Sequence, residues 1–437
     1  MSEEFERAAM SVAADESERM GLADRSAGLV VARLMRAGML GSPLEELPDP
    51  DDGATWGRVL ALAGHDGVEA LSWAGLSEGA RSQVPDEVRA RWAQLADLTL
   101  MRQLQFDVER ESVVAALEAG GLSWLPLKGT LIAGYYPAPG LRSMADNDLL
   151  YGYVEPAPDG GYRVRGASDA ERRQTISRAS RDAVSIMGRL GYRPEHIGQA
   201  NHDSFFKEPM FNFELHRYLM STESEQLASV HAYYANPWRH ALQEQDDPLR
   251  FRFSPVEEYL FFLAHAYKHY MTSGCGVRFI ADEWVLLGRY GELLEGPEVA
   301  SKLKEAGLVG FERMVRELAR AVFGGADGVV LSQDQEQLWL YLLGCGSYGN
   351  QDTRVRLALA RLEGGEGGGR GKAVGRYLGR RLVPPYEEAA TWSPILRGRR
   401  WLYPAFVVCR LVYGAVTKPG AIVRELRVAL RGDKPKA

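Results

Sequence analysis

The sequence predicts an α+β (α/β) fold, a small β-sheet core flanked by N-terminal and C-terminal helical regions. Two observations predict it. Helical spacing of apolar residues dominates the first hundred positions and returns from about residue 255. Between them lie short apolar runs bounded by glycine and proline, which is the pattern of strands. A chain of 437 residues is too long for one small core, and 46% hydrophobic with 25% charged residues is a globular composition. The expected organisation is a helical region over 1–100, a core over 101–225, a second helical domain over 226–360, and a Gly-rich linker with a basic amphipathic segment over 361–437.

Leu29, Val30, Leu34 and Met35 open the helical pattern, and further helices are expected from Trp56 to Trp73 and from about Asp86 to Gly120. The Gly120-Gly121 pair is a good stop. Leu122 to Leu127 reads as a strand that Pro126 confines to an edge or a bulged end. Gly129 turns the chain into a short helix over Thr130–Tyr136, which Pro137 and Pro139-Gly140 end. Asp148–Val154 is a second strand and Glu155–Gly161 a loop; Glu171–Leu190 is an amphipathic helix closed by Gly191. Ser204–Lys207 and Phe211–His216 are two more strands. Five helices follow: Glu257–Tyr270, Arg278–Tyr290, Glu298–Ala306 with Pro297 at its start, Phe311–Val322 and Gln335–Leu343. Glycine density makes Glu363–Arg370 the linker, and no internal repeat is visible.

Bulk chemistry excludes several classes. A net charge of −6 gives no general affinity for nucleic acid. Cys275, Cys345 and Cys409 lie far apart, with no paired metal spacing, and read as buried thiols of a reducing compartment. The acidic N-terminus lacks a secretory pattern and no apolar run is long enough for a bilayer span, so the expected location is the cytoplasm.

The chemistry concentrates at Leu127-Lys128-Gly129-Thr130 and at Arg142 to Asp148. Asp146 and Asp148 stand at i and i+2, so a strand presents both on one face, close enough to share a metal. Alternation in Phe211–His216 sends Asn212, Glu214 and His216 to one side and Phe211, Phe213 and Leu215 to the other. A carboxylate so placed needs a cation: either a metal, or a salt bridge to Arg217 or Arg142. Lys128, Gly129 and Thr130 form a phosphate seat at a helix start, without the glycine spacing of a Walker loop. Asn201-His202-Asp203 can orient substrate or accept a proton. His265, Lys268 and His269 share a helix face, and Arg278 and Asp282 stand at i and i+4 on the next helix. These groups read equally as a cationic wall over a triphosphate or as a network pairing two helices; zinc is disfavoured because no third ligand is evident. His202, His216, His265 and His269 are thus the candidates for positioning substrate.

At these residues the chain resembles an uncharacterised bacterial nucleotidyltransferase family of the DNA polymerase β-like superfamily. The resemblance rests on Leu127–Thr130, Pro139–Leu150, His202–Pro209 leading to Phe213–Arg217, Ala264–His269, the Arg278/Asp282 spacing and Gly346–Gly349. It covers roughly residues 55 to 415. It implies a mixed sheet, a nucleoside triphosphate (ATP first) as donor, Mg²⁺ or Mn²⁺ as cofactor, and Asp146, Asp148 and Glu214 as metal-binding and catalytic acids. Lys128, Gly129, Thr130, Arg142 and Lys268 are the expected phosphate contacts. Gly-Thr stands where the superfamily has Gly-Ser, and Glu where the third acid is more usually Asp. The acceptor is undefined. Two rivals remain: a non-catalytic nucleotide-binding scaffold or sensor, and a toxin-like transferase acting on RNA, against which the net acidity counts.

From Arg397 onward, arginines and lysines mix with large apolar residues. Such a segment either packs on the helical domain, the commoner fate of an apolar face, or lies on an anionic membrane surface. The second reading would put the protein at the inner face of a membrane.

Overall fold

The computed structural model describes residues 10–14, 20–47, 55–220, 227–326, 328–364 and 369–430. Helices α1 (Leu22–Met39), α2 (Trp56–His65), α3 (Glu69–Ala74), α4 (Glu78–Gln83) and the long α5 (Asp86–Ala119) precede the sheet. The expected Trp56–Trp73 helix is two helices. Gly67, at φ +64°, breaks it, and a Cβ there would come within 2.8 Å of Ser347 Oγ and 3.3 Å of Arg278. Only glycine lets the α2–α3 joint approach so closely the groups that wall the site.

The core is a mixed five-stranded sheet in the order β1-β2-β7-β6-β5. Its strands are β1 (Ser123–Pro126), β2 (Asn147–Gly152), β5 (Arg193–His196), β6 (His202–Lys207) and β7 (Phe211–His216). β2 and β7 run parallel; the other neighbours are antiparallel. Two hairpin ladders flank it, β3 (Val154–Pro156) with β4 (Tyr162–Val164) and β8 (Ala241–Gln243) with β9 (Phe251–Phe253). Pro126 does sit on an edge strand, as a residue without an N–H must. The expected strand Asp148–Val154 ends at Gly152, and part of the expected loop Glu155–Gly161 is β3. The middle of the expected linker, 365–368, lies outside the described residues.

α6 (Gly129–Ile132) is a single turn continued by a 3₁₀ turn over Ala133–Tyr135, shorter than the expected Thr130–Tyr136 helix. α7 (Asp169–Arg189) is capped by Ser168, whose Oγ accepts from Glu171 N at 3.2 Å. It packs with α5 on one sheet face, where Val113, Leu117, Ala183, Ile186 and Met187 meet Leu149, Phe205, Phe213 and Leu215.

After α8 (Ala228–Tyr233), α9 (Pro255–Thr272) and α10 (Arg278–Tyr290) come α11 (Pro297–Ala306), α12 (Val309–Ala319) and α13 (Gln333–Cys345). Ser254 caps α9 with Pro255 in its first turn, and Pro297 starts α11 as its position suggested. One apolar core runs from Val30 and Met35 of α1 through Leu125 and Leu150 of the sheet to Tyr267 of α9 and Leu343 of α13. The chain closes with α14 (Gln351–Gly364), α15 (Arg370–Leu382), α16 (Tyr386–Trp392), α17 (Tyr403–Thr417) and α18 (Pro419–Leu430).

Candidate active site

The sheet face turned away from α5 and α7 forms the floor of a cavity of about 240 Å³. Strand alternation assigns the faces. Leu149, Phe213 and Leu215 go to the helices, while Asp148, Glu214 and His216 go to the cavity. Asn147 points the other way, accepting from Arg110 Nη1 at 3.1 Å, so Asp146 and Asp148 share the cavity side. The parallel pairing of β2 with β7 then sets Asp148 directly beside Glu214. One carboxylate oxygen from each of Asp146, Asp148 and Glu214 lies within 4.8 Å of the others. β6 adds His202 opposite His216.

Of the twelve residues singled out from sequence, eleven line this cavity: Lys128, Gly129, Arg142, Asp146, Asp148, His202, Glu214, His216, His265, Lys268 and His269. Thr130 does not. Its N–H is spent on Leu127 O at 3.3 Å, and its buried Oγ1 has no hydrogen-bond partner among the described residues. A one-turn helix and a turned-away hydroxyl leave Lys128, not Thr130, as the part of the expected phosphate seat that faces the cavity.

Lys128 has φ +47° and ψ −121°, and it is the one non-glycine with positive φ among the described residues. Such a conformation costs a side chain about 1–3 kcal/mol and persists where the surroundings dictate it. The strain aims the ammonium inward: Lys128 Nζ donates to Asp148 Oδ1 at 3.0 Å. His216 Nε2 meets the same oxygen at 2.7 Å. Its Nδ1 faces the Asn201 amide nitrogen at 3.3 Å, a donor, so the tautomer that satisfies both bonds carries the proton on Nε2 and gives it to Asp148. Burial opposes ionisation of Asp148, but Lys128 and His216 outweigh it and hold its carboxyl well below the usual range.

Asp146 goes the other way. Burial, then the neighbouring charges of Asp148 and Glu214, push it up to about 7, against Lys128 and Arg278. Glu214 is lowered: burial raises it, but the neighbouring imidazoles of His216 and His202 prevail over burial and Asp148. Three acids this close repel one another, and their hard oxygen donors suit a divalent cation. The salt bridge considered for Glu214 does not form. Arg217 pairs with Asp203 at 3.2 Å and Arg142 with Asp282, and Glu214 lies instead 3.6 Å from both His202 Nδ1 and His216 Nε2. His202, Glu214 and His216 form a second compact donor set.

The far wall comes from α9 and α10. His265 and His269 touch through Nε2 atoms 3.2 Å apart. Burial and then the local lysines depress both, His269 to about 3. They are neutral at pH 7, so the expected cationic wall reduces to Arg278 and Lys268, the latter lowered to about 8 by burial and Lys128. Among the described residues no third ligand completes a metal set around this histidine pair.

Arg142 is held by a residue outside that group of twelve. Asp282 accepts from Arg142 Nε and Nη2, both at 2.8 Å, and from Tyr136 OH at 2.7 Å. The guanidinium lies flat against Gly129, where a Cβ would sit 2.5 Å from Nη1. Arg278 donates to Ser143 O at 3.1 Å and lies over the Tyr348 ring at 5.5 Å. Ser347 and Tyr348 complete the rim. The Arg278/Asp282 spacing was the sequence signal for this wall; the pairing of Asp282 with Arg142 and Tyr136, 140 and 146 residues away, had none. Asp203, by contrast, leaves the site. It faces α7, accepting from Tyr151 OH and Ser180 Oγ at 2.6 Å each and from Gly198 N at 2.8 Å.

A family model described as an uncharacterised nucleotidyltransferase matches residues 52–156 and 176–324, more than half of the chain. The matched stretches include β1, β2, β6, β7, α9 and α10, hence all three acids and both walls. No curated protein and no solved structure matches the chain.

Proposed function

The chain belongs to this uncharacterised nucleotidyltransferase family, and from that premise we propose that it transfers a nucleoside monophosphate from a nucleoside triphosphate, ATP first, to a hydroxyl-bearing acceptor. The observation that carries the reading is the convergence of Asp146, Asp148 and Glu214 on one point of the cavity floor. Mg²⁺ or Mn²⁺ held there would neutralise the triphosphate and polarise the phosphoryl oxygens.

The chain's own groups do the rest. Lys128, Lys268 and Arg278 face the same cavity and bind phosphate oxygens. Arg142, fixed by Asp282, counters charge developing on the leaving pyrophosphate. Glu214, ionised at neutral pH, accepts the proton of the attacking hydroxyl, with the His202 and His216 imidazoles 3.6 Å from its carboxylate. The acceptor oxygen forms its bond to the α-phosphorus as the α–β phosphoanhydride bond breaks, and pyrophosphate departs. Nucleoside triphosphates as donors make the cytoplasm the location that goes with this reading.

The test supplies ATP labelled at the α-phosphate, Mg²⁺ and a small-molecule extract as acceptor pool. Wild type should release pyrophosphate and label a product only with the metal, and Asp148→Asn should do neither at a temperature where its melt shows it folded. Equal turnover by the variant would end the reading. One observation favours a second function. Lys128 already occupies Asp148, which suits a sensor that binds nucleotide without turning it over; nucleotide binding with no pyrophosphate release would select it.

A further inference from the structure

The C-terminal helices carry an apolar surface with no cover among the described residues. α17 has no buried residue at all. Val408, Val412 and Val416 stand at i, i+4 and i+8 and are 61%, 58% and 74% exposed. Leu411 and Tyr413 widen the row, and α17 contains no acidic residue. β-Branched side chains do not favour an isolated helix, so a helix of this make-up gains its stability from whatever its apolar face contacts.

α18 turns away from α17 by 101° and exposes Val423, Leu426 and Leu430. This second helix is firmly seated. Ala429 packs with Val355 and Leu359 of α14. Glu425 is buried, accepting from Arg381 Nε at 2.6 Å and Tyr377 OH at 2.7 Å. Arg424 grips Asp352 through two bonds of 2.8 and 3.1 Å. The body of the protein therefore holds α17 outward at a set angle, and the expectation that the whole segment packs on the helical domain is met by α18 alone.

Charge identifies the occupant. Residues 397–430 contain six arginines and one lysine against a single acid, Glu425; Arg424 pairs with Asp352, Arg400 with Glu387 and Glu425 with Arg381, and the segment stays basic with those pairs set aside. Trp401, 76% exposed, follows Arg399 and Arg400 directly, the pairing of ring and cation that suits a headgroup layer. A second copy of the chain would bring two basic segments together. An anionic bilayer meets both the apolar row and the arginines. Among the described residues no single helix is long and apolar enough to cross a membrane; only α17 and α18 together have the length and composition, as a pair bent by 101°. Because Arg424 and Ala429 fix α18 to α14, that pair cannot enter a bilayer end-on, and the segment would lie in the plane.

We propose that α17 and α18 dock in the plane of an anionic membrane surface, with the valine row in the acyl boundary and the arginines at phosphate level. The docking claim does not depend on the transferase reading and is tested without nucleotide.

Full-length protein is floated with vesicles of phosphatidylcholine alone or mixed with phosphatidylglycerol, at low and high salt. Flotation is expected with the anionic vesicles only, weakened by salt and reduced about fivefold for each arginine changed to glutamine. A Val412→Glu/Val416→Glu variant with an unchanged melt should stay at the bottom. Cys409 is the one exposed thiol of three; an environment-sensitive dye on it should report an apolar medium only with anionic vesicles. Absence of flotation overturns the proposal, and so does equal binding to neutral vesicles. A dimer that the double-valine variant disperses, without vesicle binding, would assign the face to a second copy instead.

Discussion

Asp282→Asn tests how the arginine wall is built. Arg142 and Asp282 are 8% and 1% exposed, so the pair is out of water. Asparagine keeps one acceptor oxygen but places an NH₂ where Oδ2 now accepts Arg142 Nη2 at 2.8 Å. That leaves a buried guanidinium without its counter-charge, a loss of about 3–5 kcal/mol. The retained acceptor argues for the lower end, which is a hundredfold or so in the unfolding equilibrium and roughly 1 M in urea midpoint. Gly129→Ala supplies the internal control. Its Cβ would meet the pinned guanidinium at 2.5 Å, an overpacking cost of about 1–3 kcal/mol. Once Asp282 is gone, Arg142 can swing aside, so the two losses should fall short of their sum by more than about 0.5 kcal/mol. Urea melts of the two single variants and the double variant read both numbers. An unchanged midpoint for Asp282→Asn, or strict additivity with Gly129→Ala, would refute the idea that Asp282 pins Arg142 over the turn.

Three more predictions follow from other buried groups. Glu283 is pushed up to about 8 by burial despite its bond from Tyr259, so the folded state holds a proton that the unfolded chain releases near 4.5. Its contribution to stability is full below 4.5, declines as pH rises, and is lost above 8; Glu283→Gln should flatten that decline in melts taken between pH 4.5 and 8. Asp203→Ala strands Tyr151, Ser180 and Arg217 in the α7–sheet interface and should cost about 3–5 kcal/mol in a urea melt. Its binding of Mn²⁺ at temperatures where it stays folded should not change, and a loss there would put Asp203 back in the site. Lys128→Met frees Asp148 of its ion pair, so Mn²⁺ affinity measured by calorimetry without nucleotide should rise while ATP affinity falls; a parallel loss of both would contradict the competition.

The site was legible where chemistry follows strand alternation. Period-two spacing alone placed Asp146 with Asp148 on one face of their strand and Glu214 with His216 on one face of theirs, and the β2–β7 register brings the two faces together. What could not be read were relations across long loops. Tyr136 and Arg142 reach Asp282 over separations of 146 and 140 residues, which no local pattern encodes. β5 escaped notice because Arg193-Pro194-Glu195-His196 is a polar, exposed edge strand with no apolar alternation. The helix over Trp56–Trp73 was read as continuous because its apolar period runs on past Gly67, and only the close approach to Ser347 explains the break. The histidines of α9 were read as possible cations because sequence carries no measure of desolvation, which is what keeps them neutral.

The central claim is that the three acids bind a nucleoside triphosphate through a divalent metal. A thermal-shift panel of ATP, GTP, CTP and UTP, each with and without Mg²⁺, on wild type and Asp148→Asn tests it most directly, since a ligand of the folded state raises the melting temperature by mass action. The account predicts a shift that needs both the metal and Asp148. A shift of equal size without Mg²⁺, or in the variant, would contradict it.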